Sequence, residues 1–331
     1  MANNMQLAEV KPSIDVVKWQ KLTWVNIKRP SRQEMQYLAQ NYSFHPHALD
    51  DCLSEVHLPK IDEYEDYILI ILHLPVYDPR TRITSPSQVA IFLGKDFLVT
   101  IHSGNLKPLN NLLVSCQKDD KVCGEYMGKG SCYLLYRIVD ALVDYCFPIV
   151  DKTLSNLAKI EDKVFDAKGE ASQEVTILRR DIAAQRRIVG LVKIVIAGLE
   201  QKVQRFAEVD LKLYFGDIND RLDHLRNDLE ECHETVEIYK DTTLLLSQER
   251  TNRSQERTNK IMAVLTILFT ITLPATVIAT ILGMHVNIPG GSETGGWIGP
   301  LGTYTTFIVV LMISFASAVI MFLLFLRWRW L

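Results

Sequence analysis

The chain has 331 residues, 48% of them hydrophobic, with 36 Lys and Arg against 39 Asp and Glu and a formal net charge of −3. That balance is too acidic for a nucleic-acid footprint, so no nucleic-acid partner is expected. The charge is unevenly spread: 34 of the basic and 38 of the acidic residues precede residue 261, which separates a water-soluble part from an apolar remainder.

The opening MANNMQLAEVKPS lacks an apolar signal core, so the first true span is expected to direct insertion. Trp19–Lys28 reads as a strand, with Leu22 and Trp24 among its apolar positions. Ser31 with Glu34 is a capping-box pattern opening a short helix to about Asn41, and Pro46–Ser54 reads as another. Tyr67–Leu74 (YILIILHL) is a strand followed by the turn-forming Tyr77-Asp78-Pro79-Arg80. Gln88–Leu93 and Phe97–His102 read as two more strands, joined by Gly94-Lys95-Asp96 in hairpin fashion, and Lys107–Gln117 as a helix. Residues 1–130 are therefore expected to form an α+β cytoplasmic domain whose sheet is at least partly antiparallel.

Residues 131–216 read as a long helical hairpin. Tyr133–Ala167 is one arm with Pro148 as a kink or packing irregularity, Gly169 marks the turn, and Gln173–Phe206 is the other arm. Pro and Gly are then absent from Asp217 through Leu273, which predicts a continuous stalk of roughly 85 Å. Leu222, Leu225, Leu229, Cys232, Val236, Tyr239, Thr243 and Leu246 follow a 3-4 spacing, as a helix packed along a seam does. Over 217–260, the cytoplasmic part of the stalk, this rhythm ends in Arg250, Arg253 and Arg257. They mark helices that splay apart or face acidic neighbours, or else a solvated, basic approach to a membrane.

Ile261–Leu282 carries no formal charge and, as a helix of roughly 33 Å, is long enough to cross the hydrocarbon core of a bilayer. The chain thus divides into a first transmembrane helix over 261–284, an external loop over 285–303, a second transmembrane helix over 304–326 and a tail over 327–331. A long stalk helix followed by a two-helix transmembrane hairpin embedded in membrane lipid is the expected architecture. Arg250, Arg253, Arg257 and Lys260 precede the first span, Arg327 and Arg329 follow the second, and the loop holds only Glu293. The positive-inside rule then places both termini in the cytoplasm.

Between Ile261 and Met284 there is no acid, Lys, Arg or His, while Thr266, Thr270, Thr272, Thr276 and Thr280 supply hydroxyls. One helical face carries Asn259, Met262, Leu265 or Thr266, Phe269, Leu273, Thr276 and Thr280. Repeated around an axis, that stripe would line a pore of alternating polar and apolar rings, passing an ion largely hydrated. The alternative is an anchor whose hydroxyls bond back to their own helix.

Elsewhere the candidate chemistry is thin. His45-Pro46-His47 has a metal-like look but reads better as a helix start, and Cys232-His233 lacks a second pair and reads as a solvated face. The stalk acids Asp217, Asp220, Asp223, Asp228, Glu230, Glu231, Glu234, Glu237 and Asp241 are candidates for a regulatory metal site, with none singled out. The six cysteines contain no CxxC, so reduced thiols are expected. There is no P-loop, GxSxG or HExxH, so neither an enzyme nor a resident cofactor is expected.

The stretch Thr258-Asn259…Met262…Val264-Leu265-Thr266-Ile267…Pro274…Gly283-Met284 resembles the first span of the CorA family of divalent cation (magnesium and cobalt) transporters. Phe44-His45-Pro46, Pro59-Lys60-Ile61 and Tyr133–Pro148 are weaker echoes of the same family. The resemblance implies a funnel-shaped homopentamer whose five copies of the first span form the pore. It implies an outer entrance at Gly283, Met284 and His285, where family members carry Gly-Met-Asn. His285 in place of that Asn leaves the architecture intact and opens the ion. Magnesium is the expected cargo, with cobalt or nickel as further candidates. Neutral imidazole also favours zinc, the cargo of the ZntB-like branch, which is the alternative. A membrane-anchored sensor or scaffold without transport is the reading from another class.

Overall fold

A computed structural model describes residues 14–54, 58–165, 171–283 and 305–327. The chain divides into two compact units, Met1–Leu244 and Leu245–Leu331.

The first unit is built on a six-stranded sheet of order β1-β2-β6-β5-β4-β3. Its strands are β1 (Ile14–Trp19), β2 (Leu22–Lys28), β3 (Lys60–Glu63), β4 (Tyr67–Asp78), β5 (Ile83–Gly94) and β6 (Phe97–His102). Every pairing is antiparallel except β2 with β6. The strand expected over Trp19–Lys28 forms as β2 from Leu22 onwards, and its first three residues are the corner of a hairpin with β1. Gln20, at φ +51°, turns the chain so that Trp19 faces Leu22 across the two strands. β1 buries only Val17. Strand β4 runs past Leu74 to Asp78, the turn falls at residues 79–82, and Pro75 pairs with Pro86. Two residues without an N–H stand opposite each other, so a single interruption of the ladder accommodates both.

Successive side chains along the strands feed two cores. Val25, Ile27, Leu69, Ile71, Phe92 and Val99 pack under α1 (Arg32–Asn41) and α2 (Pro46–Leu53). Trp24, Ile68, Ile70, Leu72, Ile91 and Leu98 face the other way. They pack against α3 (Lys107–Lys118), α4 (Asp120–Met127), α5 (Ser131–Asp144), α7 (Ala171–Val203) and the start of α8 (Lys212–Gly283). The result is a three-layer α/β/α unit, and its central strands read as unbroken apolar runs because both faces are covered. The capping box at α1 forms as expected: Glu34 accepts from the Ser31 N–H at 2.8 Å, and Ser31 Oγ accepts from the Gln33 N–H at 3.2 Å. Such a cap is worth about 1 kcal/mol.

The helical hairpin differs from expectation at its proline. The break lies at Tyr145-Cys146, and Pro148 is the second residue of α6 (Phe147–Phe165). A helix start has no partner for that N–H, so the proline begins a helix instead of kinking one. The turn expected at Gly169 lies outside the described residues. Where the sheet meets α6 and α7 a polar knot is buried. The Thr84 N–H donates to Asp181 Oδ1 at 2.5 Å, and the Gln185 amide reaches Asp181 Oδ2, Thr153 Oγ1 and Thr84 Oγ1 at 2.9, 2.8 and 3.1 Å. Burial raises the Asp181 pKa against these hydrogen bonds.

The second unit holds the remainder of α8 and a further helix, α9 (Thr305–Arg327). The whole of the expected external loop, and the tail beyond Arg327, lie outside the described residues.

Candidate functional site

Helix α8 is 72 residues long and begins five residues before the expected stalk. In the first unit its seam residues Leu222, Leu225, Leu229, Cys232, Val236 and Tyr239 are all buried, against α7 and its neighbours. Cys232 is therefore a core residue and not part of a solvated face. The seam fades at Thr243 and Leu246, which are only partly covered.

Between residues 245 and 280 most of the described side chains of the same helix are exposed in a single chain. Met262, Leu265, Phe269 and Leu273 expose 62%, 44%, 67% and 58% of their surface. Such apolar exposure is untenable in water and calls for lipid or further copies of the helix around it. At 100° per residue, Asn259, Met262, Leu265, Phe269, Leu273, Thr276, Thr280 and Gly283 fall within a sector of about 120°. One stripe thus combines four apolar side chains with two hydroxyls and an amide.

Every threonine of this span donates its hydroxyl proton to its own helix. Thr266 bonds the Met262 carbonyl at 2.7 Å, Thr270 bonds Thr266 at 2.7 Å and Thr272 bonds Leu268 at 2.9 Å. Thr276 bonds the Thr272 carbonyl at 3.1 Å and Thr280 bonds that of Thr276 at 2.9 Å. Back-bonding of this kind is what an anchor needs in lipid. It also orients each hydroxyl, with its proton turned inward and its oxygen lone pairs left as acceptors. Pro274 lies inside the helix and has no N–H for the Thr270 carbonyl one turn earlier, so the span carries one further backbone acceptor.

Met284 and His285 of the expected entrance lie outside the described residues, while Gly283 is the last residue of α8. Among the stalk acids, Asp223, Glu230 and Glu237 pair with Lys193, Arg186 and Arg179 of α7. Asp217 joins Arg221, which also grips Asp140 and Asp144 of α5. Asp228 meets His224 at 2.9 Å, and Asp241 meets Lys240 at 3.6 Å. Of these, Asp223, Glu230 and Glu237 tie α8 to α7. Among the described residues no three His, Cys, Asp or Glu come together to hold a metal. The α7 bases were overlooked in the sequence, although their spacing of seven was there to be read. His45 is a helix start: its Nδ1 accepts from the His47 N–H at 3.3 Å, and its own N–H donates to the Tyr67 hydroxyl at 2.9 Å.

An α/β domain whose last helix continues as a charge-free, hydroxyl-bearing segment is the plan of a membrane ion transporter. Among the described residues one helix is long and apolar enough to cross a membrane, and Leu311–Leu323 is a shorter apolar segment. The profile of the CorA-like Mg2+ transporter protein family matches residues 19–327, and the chain belongs to that family. YfjQ of Bacillus subtilis is 31% identical over 302 residues, 88% of each chain. The cobalt/magnesium transport protein CorA of Thermotoga maritima is 27% identical over 312 residues, covering 93% of this chain and 83% of that one. The complete structure of the CorA magnesium transporter from Methanocaldococcus jannaschii superposes with a TM-score of 0.59 at 21% identity, covering 98% of this chain and 96% of that one. That likeness establishes a shared fold.

Proposed function

We propose that the chain is a channel-like transporter moving hydrated magnesium, and with it cobalt or nickel, across the membrane. Several copies, five by family resemblance, place the α8 stripe around a common axis. The single observation that carries this reading is a span without ionisable groups whose threonine protons are all directed to its own backbone. A magnesium ion gives up its water reluctantly. A lining of outward lone pairs accepts hydrogen bonds from that hydration shell without having to displace it. Met262, Leu265, Phe269 and Leu273 supply apolar rings between the polar ones, and rings of this kind close by excluding water. Gly283, Met284 and His285 form the outer entrance, and both termini lie in the cytoplasm. The membrane potential supplies about 2.3 kcal/mol per charge per 100 mV for inward movement.

One residue favours a second reading. His285 stands where family members carry Asn, and a ring of neutral imidazoles binds zinc more readily than an amide does. Flux into proteoliposomes containing the full-length chain, with magnesium, cobalt, nickel or zinc at two pH values, separates the two. Magnesium flux that ignores pH supports the first reading. Zinc flux that rises with a proton gradient supports the second. Absence of flux for every ion would leave a membrane-anchored sensor or scaffold.

A further inference from the structure

The first unit contains a pocket of 610 Å³ at the end of the sheet where β2 and β6 finish, bounded also by α2. It lies in the α/β unit, among residues that the transport reading does not use. Its walls divide by chemistry: Leu53, Pro86, Ile101 and Pro30 are apolar, while Arg29, His73, Ser87, Ser103, Gln88 and Asn105 are polar.

The polar wall presents two donor groups, the Arg29 guanidinium and the Asn105 amide. Ser87 Oγ and Ser103 Oγ donate to Asn105 Oδ1 at 2.6 and 2.8 Å. Two donors on the oxygen fix the orientation of the amide and turn its NH2 away from them, with two N–H groups free to give. Arg29 sits in the left-handed region at φ +54°, and its side chain passes over Gly104, whose own φ is +91°. Among the described residues Arg29 has no ion-pair partner, and no carboxylate lines the pocket. His102 closes the wall without offering a ligand: its Nδ1 accepts from the Gly104 N–H at 3.1 Å, which leaves its Nε2 as the donor to Asn26 Oδ1 at 3.2 Å. Gln88 is tied by its amide to the Asp51 carbonyl at 3.2 Å.

A pocket with a guanidinium that has no ion-pair partner among the described residues, an amide beside it and no carboxylate disfavours cations and suits an anion. Its volume is that of a small-molecule site, well beyond the size of a bare oxyanion, and its apolar half offers a surface to an organic moiety. We propose that this pocket binds a small organic anion, a phosphate monoester or a carboxylate. The Arg29 guanidinium and the Asn105 amide take its charged head, and Leu53, Pro86 and Ile101 take its body. The site would connect the cytoplasmic unit to an anionic metabolite independently of the transported ion.

The test is isothermal titration of the detergent-solubilised full-length chain with AMP, citrate, inorganic phosphate and adenosine. AMP or citrate is expected to bind more tightly than inorganic phosphate, and adenosine more weakly than AMP. Arg29→Gln should weaken that binding by roughly tenfold or more, with Arg29→Lys retaining part of it. Asn105→Ala should weaken it less, and circular dichroism should show each variant folded. Silence of all three anions up to about 10 mM overturns the proposal. So does adenosine binding as well as AMP, or binding untouched by Arg29→Gln. No flux enters this measurement, so its outcome is independent of whether the chain transports any ion.

Discussion

Arg186 of α7 holds the carboxylate of Glu230 of α8 at 2.5 Å, and this pair is the middle rung of a ladder. Seven residues before Arg186, Arg179 pairs with Glu237, and seven residues after it, Lys193 pairs with Asp223. Equal steps of seven, forward along α7 and backward along α8, are the register of two antiparallel helices packed along a seam. Alongside the ladder lie Leu178, Ile182, Cys232, Val236 and Tyr239 at one end, and Val189, Val192, Leu222, Leu225 and Leu229 at the other.

The seam, and not the ladder, is expected to carry the stability. The Arg186–Glu230 pair is partly exposed, and pairs of that kind contribute under about 1 kcal/mol. Leu229 is fully buried, and removing such a side chain costs about 2–5 kcal/mol. Urea denaturation should therefore show a small shift for Glu230→Gln and a large one for Leu229→Ala. Equal shifts would contradict this ranking.

Acid should destabilise the first unit through His102. Burial, with the charge of Lys28 as a lesser cause, pushes its pKa down to about 4. The folded state therefore binds fewer protons than the unfolded state, whose histidine titrates near 6.5. Stability is full above that value and falls as pH drops towards 4, by about 3 kcal/mol. His102→Gln should flatten thermal stability over this window, and an unchanged slope would assign the acid sensitivity to another group.

Asp181 works in the opposite direction. Its raised pKa means that the folded state holds a proton more tightly than the unfolded one. Stability from this group is present below the ordinary carboxylate range and lost as pH rises through the folded pKa. Asp181→Asn keeps an acceptor for the Thr84 N–H and should match or exceed the parent stability at neutral pH. Asp181→Leu leaves that N–H unpaired and should cost about 1–3 kcal/mol. Calorimetry of both variants decides it.

In the span, Leu273→Ser exchanges an apolar ring for a hydrated one. Leak of hydrated cations through proteoliposomes should rise several-fold, since a constriction that excludes water no longer does so. His285→Ala should lower uptake or change ion preference. If both variants match the parent in flux and selectivity, the stripe does not line the passage.

The cysteines supply a folding probe. Cys116, Cys132 and Cys146 are buried, and burial pushes each thiol up to about 12. Alkylation at neutral pH should be slow in the folded chain and rapid after denaturation, because the thiolate is the reactive form. Fast labelling of the native protein would show that these helices open readily.

Much of this architecture was legible wherever one residue type has one physical use. The capping box at Ser31 and Glu34, the strand Phe97–His102 and the seam from Leu222 to Tyr239 were read from local chemistry and periodicity, and each forms. β1 was missed because an edge strand with one buried residue has no alternation to read. The short β3 was missed at Lys60–Glu63, where only Ile61 is apolar. Pro148 was misread as a kink because a proline inside a helix and one at its second residue look alike until the preceding break is known.

The sequence by itself determined the division into a charged part and a charge-free part, the course of α8 and the composition of its stripe. Periodicity and the absence of charge are local properties that no folding partner can change. The tertiary structure alone decided which stalk acids are engaged, since Asp223, Glu230 and Glu237 find their bases some 30 to 58 residues away on another helix. It alone gathered Arg29, Ser87 and Asn105 into one polar wall, because strands distant in the chain end side by side only once the sheet has formed.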